Sequence, residues 1–332
     1  MSTPIEIPQE IPAVAQGAKR VAAIDCGTNS IRLLIADVDA VAGTLVDHLR
    51  LMEVVRLGQG VDRTGRLADE ALARTLEATA RYADLCAAYG VTAIRFVATS
   101  ATRDAENRDE FVAGVKAAIG VEPEVVSGDE EAALSFQGAL SALSGKHEGP
   151  FLVVDLGGGS TEMVLGTKTP VAAHSMNVGC VRMTERHLKS DPPTQEEIAA
   201  AAKDINAAID EAAKIVPIGR TATLVGLAGS ITTVTAHALK LREYDREKIN
   251  GAVLTLADAQ KACANLMERT VAERGALGFM HPGRVDVIGA GALVWSTIMA
   301  RVQAAVAQAG GVLKTTVTSE HDILDGIALS LG

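Results

Sequence analysis

The chain carries one pattern of about a dozen residues twice, well over a hundred positions apart. Residues 20–38 read RVAAIDCGTNSIRLLIADV and residues 151–166 read FLVVDLGGGSTEMVLG. Aligned, Asp25 falls on Asp155, Gly27 on Gly157, Ser30 on Ser160 and Arg32 on Glu162. A single repeat at that distance specifies two similar domains rather than a stacked array, and 332 residues agree with two. In each copy an apolar run ends at an aspartate, a glycine-containing turn follows, and a second apolar run leads away. That is the pattern of a β-hairpin.

Counted from the middle of the second turn, Asp155 and Glu162 are equidistant, so a symmetric hairpin sets them opposite each other, with Cβ atoms about 4.5–5.5 Å apart. Gly157, Gly158 and Gly159 can adopt conformations closed to other residues and turn their N–H groups toward one point, a concavity that binds phosphate oxygens. Two carboxylates beside such a cradle repel each other and the anion unless a cation lies between. Mg²⁺ suits that position, because it favours one or two carboxylates with phosphate oxygens and water. In the first copy Arg32 replaces the second acid. Facing each other across a cleft, the two loops would hold a phosphate and a metal together. The alternative is a solvated glycine-rich turn, since such motifs alone are weak evidence.

Hydrophobic residues make up 48% of the chain and aromatics 3%, so the core is built from Ala, Val, Leu and Ile. Cys26, Cys86, Cys180 and Cys263 show no metal-binding or disulfide spacing and are expected as reduced, buried thiols of a cytoplasmic protein. No run reaches the ~20 apolar residues of a membrane span. Residues 1–18, with Pro4, Pro8 and Pro12, are expected as a disordered tail. A net charge of −10 argues against nucleic-acid binding.

Apolar spacing predicts a helix over 69–89, a buried strand over 94–99, and a helix opened by Ser100 to Asn107, with Arg103 and Asn107 on one face. In SGDEEAALSFQGAL, Ser127 and Glu130 have capping-box spacing. Glu131, about 100° further round, is left free as a general base, or is simply an acid favoured by the helix dipole. Gly179 and Arg182 follow the central hairpin. Thr194 and Glu197 form a second capping box before an Ala-rich helix. TLVGLAGSITT places Gly229 and Ser230 where a strand meets a helix, either an anion site or a plain junction. A helix is expected over 257–274. HPGRVDVIGAG reads as a turn followed by an apolar helix or strand. The histidines show no paired spacing, and the sequence contains neither a G-x-S-x-G elbow nor a Walker A loop.

Taken together, AIDCGTNSIRLLIAD, VATSATRDAENRDEF, SGDEEA, VVDLGGGSTE, VGLAGSITT, PGRVDVI and TSEHDILDGI resemble the exopolyphosphatase and guanosine pentaphosphate phosphohydrolase (Ppx/GppA) family. The resemblance implies an α/β fold of two actin-like (ribonuclease H-like, ASKHA) domains with a cleft between them. It implies hydrolysis of terminal phosphate from inorganic polyphosphate or pppGpp with Mg²⁺ or Mn²⁺. It puts the catalytic glutamate on Glu131, with Asp155 and Glu162 essential, and metal at Asp25, Asp155 and Glu162. The phosphate loops fall on Gly27, Thr28, Asn29 and Ser30 and on Gly157, Gly158, Gly159, Ser160 and Thr161. Arg103 matches an arginine lining the cleft; Arg32, Gly229 and Ser230 complete the expected anion contacts. Domains are expected over 19–137, closed by a C-terminal helix within 318–332, and over 138–317, in a cytoplasmic homodimer without the HD-like domain of longer relatives. A kinase of the same superfamily and a non-enzymatic phosphate or nucleotide sensor remain as alternatives.

Overall fold

The computed structural model describes residues 11–39, 41–143 and 145–332; most of the tail expected over 1–18 lies outside them. Among the described residues two sheets form. The first contains β1 (Lys19–Cys26), β2 (Ser30–Asp39), β3 (Thr44–Val54), β4 (Ala93–Ala98) and β5 (Glu124–Val125), in the order β3-β2-β1-β4-β5. The second contains β6 (Phe151–Leu156), β7 (Thr161–Gly166), β8 (Pro170–Met176), β9 (Thr223–Leu227), β10 (Val253–Thr255) and β11 (Thr315–Thr318), in the order β10-β11-β9-β6-β7-β8. Without β10, the second order repeats the first. The first three strands of each sheet are antiparallel, and the fourth runs parallel to the first.

The central strands β1, β2, β6 and β7 are buried on both faces, so they are apolar over nearly their whole length instead of alternating. Along β1, Ala22, Ile24 and Cys26 join the core beneath helices Asp69–Ala88 and Arg108–Ile119, while Val21 and Ala23 face helix Ile323–Leu329. Along β6, Leu152, Val154 and Leu156 enter the core formed with helices Gln195–Ile215, Ala228–Ala238, Leu256–Glu268 and Ile288–Gln308. Phe151 and Val153 pack against helix Gly128–Leu143. Helix Ile288–Gln308 is long and apolar enough to cross a membrane by length and composition, but Trp295, Ile298, Met299, Val302 and Val306 are buried in this core.

The two halves exchange helices. Helix Gly128–Leu143 follows β5 of the first sheet yet covers the second, running through the boundary expected at 137/138. Helix Ile323–Leu329 follows β11 of the second sheet yet covers the first. The two cross where a side chain at Gly138 would strike Asp322 and one at Gly326 would strike Leu134, backbone against backbone.

Several local expectations change. The helix opened at Ser100 stops at Arg103, and another begins at Arg108. Asn107 therefore does not share a face with Arg103; its side chain bonds the backbone of Leu67 in both directions, at 2.9 and 3.2 Å. Ser127 does cap Glu130 N–H at 3.2 Å, but the Glu130 carboxylate pairs with Arg95 at 2.8 Å instead of returning to the backbone. The capping box of Thr194 and Glu197 forms as expected. The helix expected over 257–274 divides into Leu256–Glu268 and Val271–Gly275.

Candidate active site

The two hairpins have the register that their turns require: Asp25 opposes Arg32, and Asp155 opposes Glu162. Each aspartate points to the face covered by the exchanged helix, where its surroundings differ. Arg32 donates to Asp25 at 2.6 and 2.9 Å and also to Asp322, the N-cap of helix Ile323–Leu329. The first hairpin thus ends in two carboxylates sharing one guanidinium.

In the second hairpin no guanidinium among the described residues bonds Asp155 or Glu162. Ser135 donates to Asp155 at 2.5 Å and Ser175 to Glu162 at 2.7 Å, both from neutral hydroxyls. Glu131, from the first turn of helix Gly128–Leu143, joins them and takes a bond from Arg103 at 3.0 Å. Burial and the neighbouring charge of Glu162 push the Asp155 carboxyl up to about 7. Burial first, then Glu162, raises Glu131 well above the ordinary carboxylate range, against the pull of Arg103. Glu162 is raised by burial. Three buried acids raised in this way form a site that a cation would stabilise.

The phosphate loops mirror each other. In the first, Thr28 O accepts from Gly58 N, and Asn29 O from Val55 and Arg56 N. In the second, Gly157 O accepts from Cys180 N, and Gly158 O from Val181 and Arg182 N. With their carbonyls bound behind them, the N–H groups of Thr28, Asn29, Gly158, Gly159 and Ser160 make no hydrogen bond among the described residues. The expected reason for the glycines changes: none of Gly157, Gly158 and Gly159 has positive φ. A Cβ at Gly158 would lie 3.0 Å from Thr28 Cβ, and one at Gly159 2.6 Å from Thr28 Oγ1 and 2.7 Å from Ser100 Oγ. They are small because the opposite domain's loop comes so near.

Between the loops lies a polar cavity of about 90 Å³, lined by the first loop, Asp25, Arg32, Glu131, Asp155, Gly157 to Ser160, Gly229 and Ser230. Three expected residues stand outside this lining. Thr161 is buried, its hydroxyl bonded to Val178 O at 2.6 Å. Arg103 bonds Glu131 and Val126 O, holding that carboxylate from outside the cavity lining. Glu162 sits behind Glu131 and Asp155 and acts on them through its charge.

One residue to which the sequence reading gave no role is Arg284. It lines this cavity and an adjoining one of about 450 Å³, and its side chain makes no hydrogen bond or ion pair among the described residues. It lies in the turn motif HPGRVDV, where the nearby Asp286 binds Arg56 at 2.8 Å.

Among the described residues, no three His, Cys, Asp or Glu side chains are grouped to hold a metal, and Asp25, expected as a ligand, is held by Arg32. Asp155 with Glu131 or Glu162 nonetheless fits a hard divalent ion. The donors are oxygen only, their raised pKa values mark a site short of positive charge, and Mg²⁺ needs only one or two carboxylates when phosphate and water complete its shell.

Two duplicated α/β domains, exchanging helices and closing glycine loops and three acids on one polar cavity, define a protein of the actin-like class. The profile of the Ppx/GppA phosphatase family matches residues 34–320, and the chain belongs to that family. It is 49% identical over 319 residues to Exopolyphosphatase 2 of Mycobacterium tuberculosis, covering 94% of this chain and 98% of the relative. A solved exopolyphosphatase-like protein superposes with a TM-score of 0.92 at 48% identity, covering 96% and 98% of the two chains. A guanosine-5'-triphosphate,3'-diphosphate pyrophosphatase of Pseudoalteromonas atlantica is 34% identical over 214 residues, 64% of this chain and 41% of that protein.

Proposed function

We propose that this chain is an exopolyphosphatase that releases terminal orthophosphate from inorganic polyphosphate with the help of a divalent cation. The observation that carries the reading is the raised, buried Glu131 carboxyl facing a cavity lined by amides that make no hydrogen bond to the protein. The terminal phosphoryl group lies against the N–H groups of the two loops. Glu131, held by Arg103, accepts a proton from water as the water oxygen attacks phosphorus and the bridging oxygen leaves with the shortened chain. A buried carboxyl raised above the ordinary carboxylate range is the stronger base, which suits that role. Asp155, backed by Glu162, would hold Mg²⁺ or Mn²⁺, which would offset charge on the phosphoryl oxygens; beyond that, phosphoryl transfer needs chiefly positioning. Arg284 stands where the next phosphate of the chain would leave the cavity. Four buried free thiols support a reducing, cytoplasmic setting.

The test is Glu131→Gln assayed by malachite-green phosphate release on polyphosphate of defined length. Turnover should fall about 10²–10⁴-fold with substrate binding retained; turnover within about tenfold of wild type removes Glu131 as the base. A second reading, pppGpp as substrate, is favoured by one observation. The 450 Å³ cavity beyond Arg284 is walled by Met52, Phe279, Met280 and Pro282, which suit a nucleoside better than a bare phosphate chain. Phosphate release from the two substrates, compared side by side, decides.

A further inference from the structure

Arg182 lies on helix Cys180–Arg186, outside the polar cavity and only 10% exposed at its side chain. All three of its guanidinium nitrogens are engaged. Nε donates to Gly159 O at 2.7 Å. One terminal nitrogen donates to Asp62 at 2.5 Å; the other donates to Asp104 at 2.5 Å and to Ser100 Oγ at 3.4 Å. Gly159 belongs to the second domain's phosphate loop, and the other three partners belong to the first domain. The partners also bear on the site. Ser100 lines the cavity, and Asp104 follows Arg103, which holds Glu131.

We propose that Arg182 is a positioning residue for phosphate release: its guanidinium fixes the Gly159 carbonyl away from the cleft and sets the second loop against the first domain. The backbone of 180–182 secures the carbonyls of Gly157 and Gly158, and that of Gly159 depends on this side chain. If the Gly159 carbonyl swung inward it would point a negative dipole at the phosphate and turn the adjoining Ser160 N–H away. The same guanidinium holds the loop at the short distance from Thr28 and Ser100 that makes glycine necessary there. Arg182 touches no substrate, because its donors are occupied by protein. Lysine cannot replace it, since a point charge cannot serve a carbonyl and two carboxylates with fork geometry. The inference rests on the phosphohydrolase reading of the cavity.

The experiment uses the full chain with Mg²⁺ and polyphosphate of defined length. It compares wild type with Arg182→Met, Arg182→Lys, Asp104→Asn and Arg186→Met, each checked for folding by circular dichroism and urea midpoint. Arg186 pairs with Asp62 at 2.6 Å but reaches neither Gly159 nor Asp104, so it controls for loss of an interdomain ion pair. Misplacement of the reacting phosphate by about 1 Å predicts a kcat about 10²-fold lower in Arg182→Met, with KM moving far less. Arg182→Lys should recover less than about a tenth of the activity, Asp104→Asn should lose about tenfold, and Arg186→Met should stay within about twofold. Inorganic phosphate, followed by calorimetry, should bind Arg182→Met more weakly than wild type. A folded Arg182→Met with kcat within about threefold of wild type, or an equal loss in Arg186→Met, overturns the proposal. Should Arg182→Met fail to fold, Asp104→Asn carries the same decision. If wild type releases no phosphate, the functional reading fails, while the phosphate affinities still decide the positioning role.

Discussion

Gly326→Ala sets two effects of known size against each other. Gly326 lies within helix Ile323–Leu329, so helix propensity alone predicts stabilisation by about 1 kcal/mol. The structure predicts the reverse. A Cβ there would run into the carbonyl of Leu134 on helix Gly128–Leu143, inside the 3.0 Å that real Cβ contacts respect. The obstacle is backbone, which no rotamer change can move. The helices must part by about 1 Å, loosening Leu134, Ile327 and Ala328, and overpacking of this kind costs about 1–3 kcal/mol. With the upper end expected for a backbone clash, the net change is a loss of about 2 kcal/mol. In urea unfolding at an m-value of about 3 kcal/mol per M, the midpoint falls by roughly 0.7 M. Activity should fall too, because Asp322 begins this helix and receives Arg32 from the cavity floor. Gly138→Ala meets the same interface from the other helix, through Asp322 O. One separation relieves both clashes, so the double variant should be less destabilised than the sum. A Gly326→Ala protein as stable as wild type would refute the reasoning.

Arg50→Ala removes the guanidinium 2.6 Å from Asp325, whose side chain is fully buried, and should cost about 3–5 kcal/mol, of which Arg50→Ala with Asp325→Asn recovers part. Arg50 and His321 hold the Asp325 carboxyl well below its ordinary range. Its stabilisation is therefore present above the unfolded carboxylate pKa and lost on acidification, so urea midpoints should fall less steeply below about pH 4 in Asp325→Asn. Gly159→Ala should prop the loops apart against Thr28 and Ser100 and lower kcat by about 10²-fold with little change in thermal stability. Chelation with EDTA should stop phosphate release and added Mg²⁺ restore it; undiminished release in EDTA would remove the cation from the reaction.

The sequence shows what depends on near neighbours and hides what depends on the other domain. Both hairpin registers, Asp155 against Glu162 and Asp25 against Arg32, follow from alternation about a glycine turn. The exchanged helices do not, because apolar residues on a helix do not say which sheet they cover. Glu130 looked committed to a cap until Arg95 of β4 took its carboxylate. Arg103 and Asn107 looked like neighbours on one helix until the chain broke after Arg103. The glycines of the second loop were read as conformational necessities, whereas the constraint is Thr28 and Ser100 of the other domain.

Duplication explains the scaffold, and one divergence between the copies explains the chemistry. Each hairpin directs an aspartate toward the N-terminal end of an exchanged helix, Asp25 toward Asp322 and Asp155 toward Glu131. Arg32 in the first copy turns what would be facing acids into an ion-pair cluster, with Asp25 bonded at 2.6 Å. Glu162 occupies the same register in the second copy, so Asp155 and Glu131 are raised in pKa first by burial and then by this further acid. Charge in a buried site must be balanced by pairing, protonation or a bound ion. In the first copy burial still raises Asp25, but Arg32, shared with Asp322, gives the cluster a cation of its own. The second has no cation of its own, and three buried acids so placed favour a divalent ion beside Asp155 and Glu131. The loop amides and Arg284 line one cleft of a chain with net charge −10, and they are what that cleft offers to the polyanion proposed as substrate.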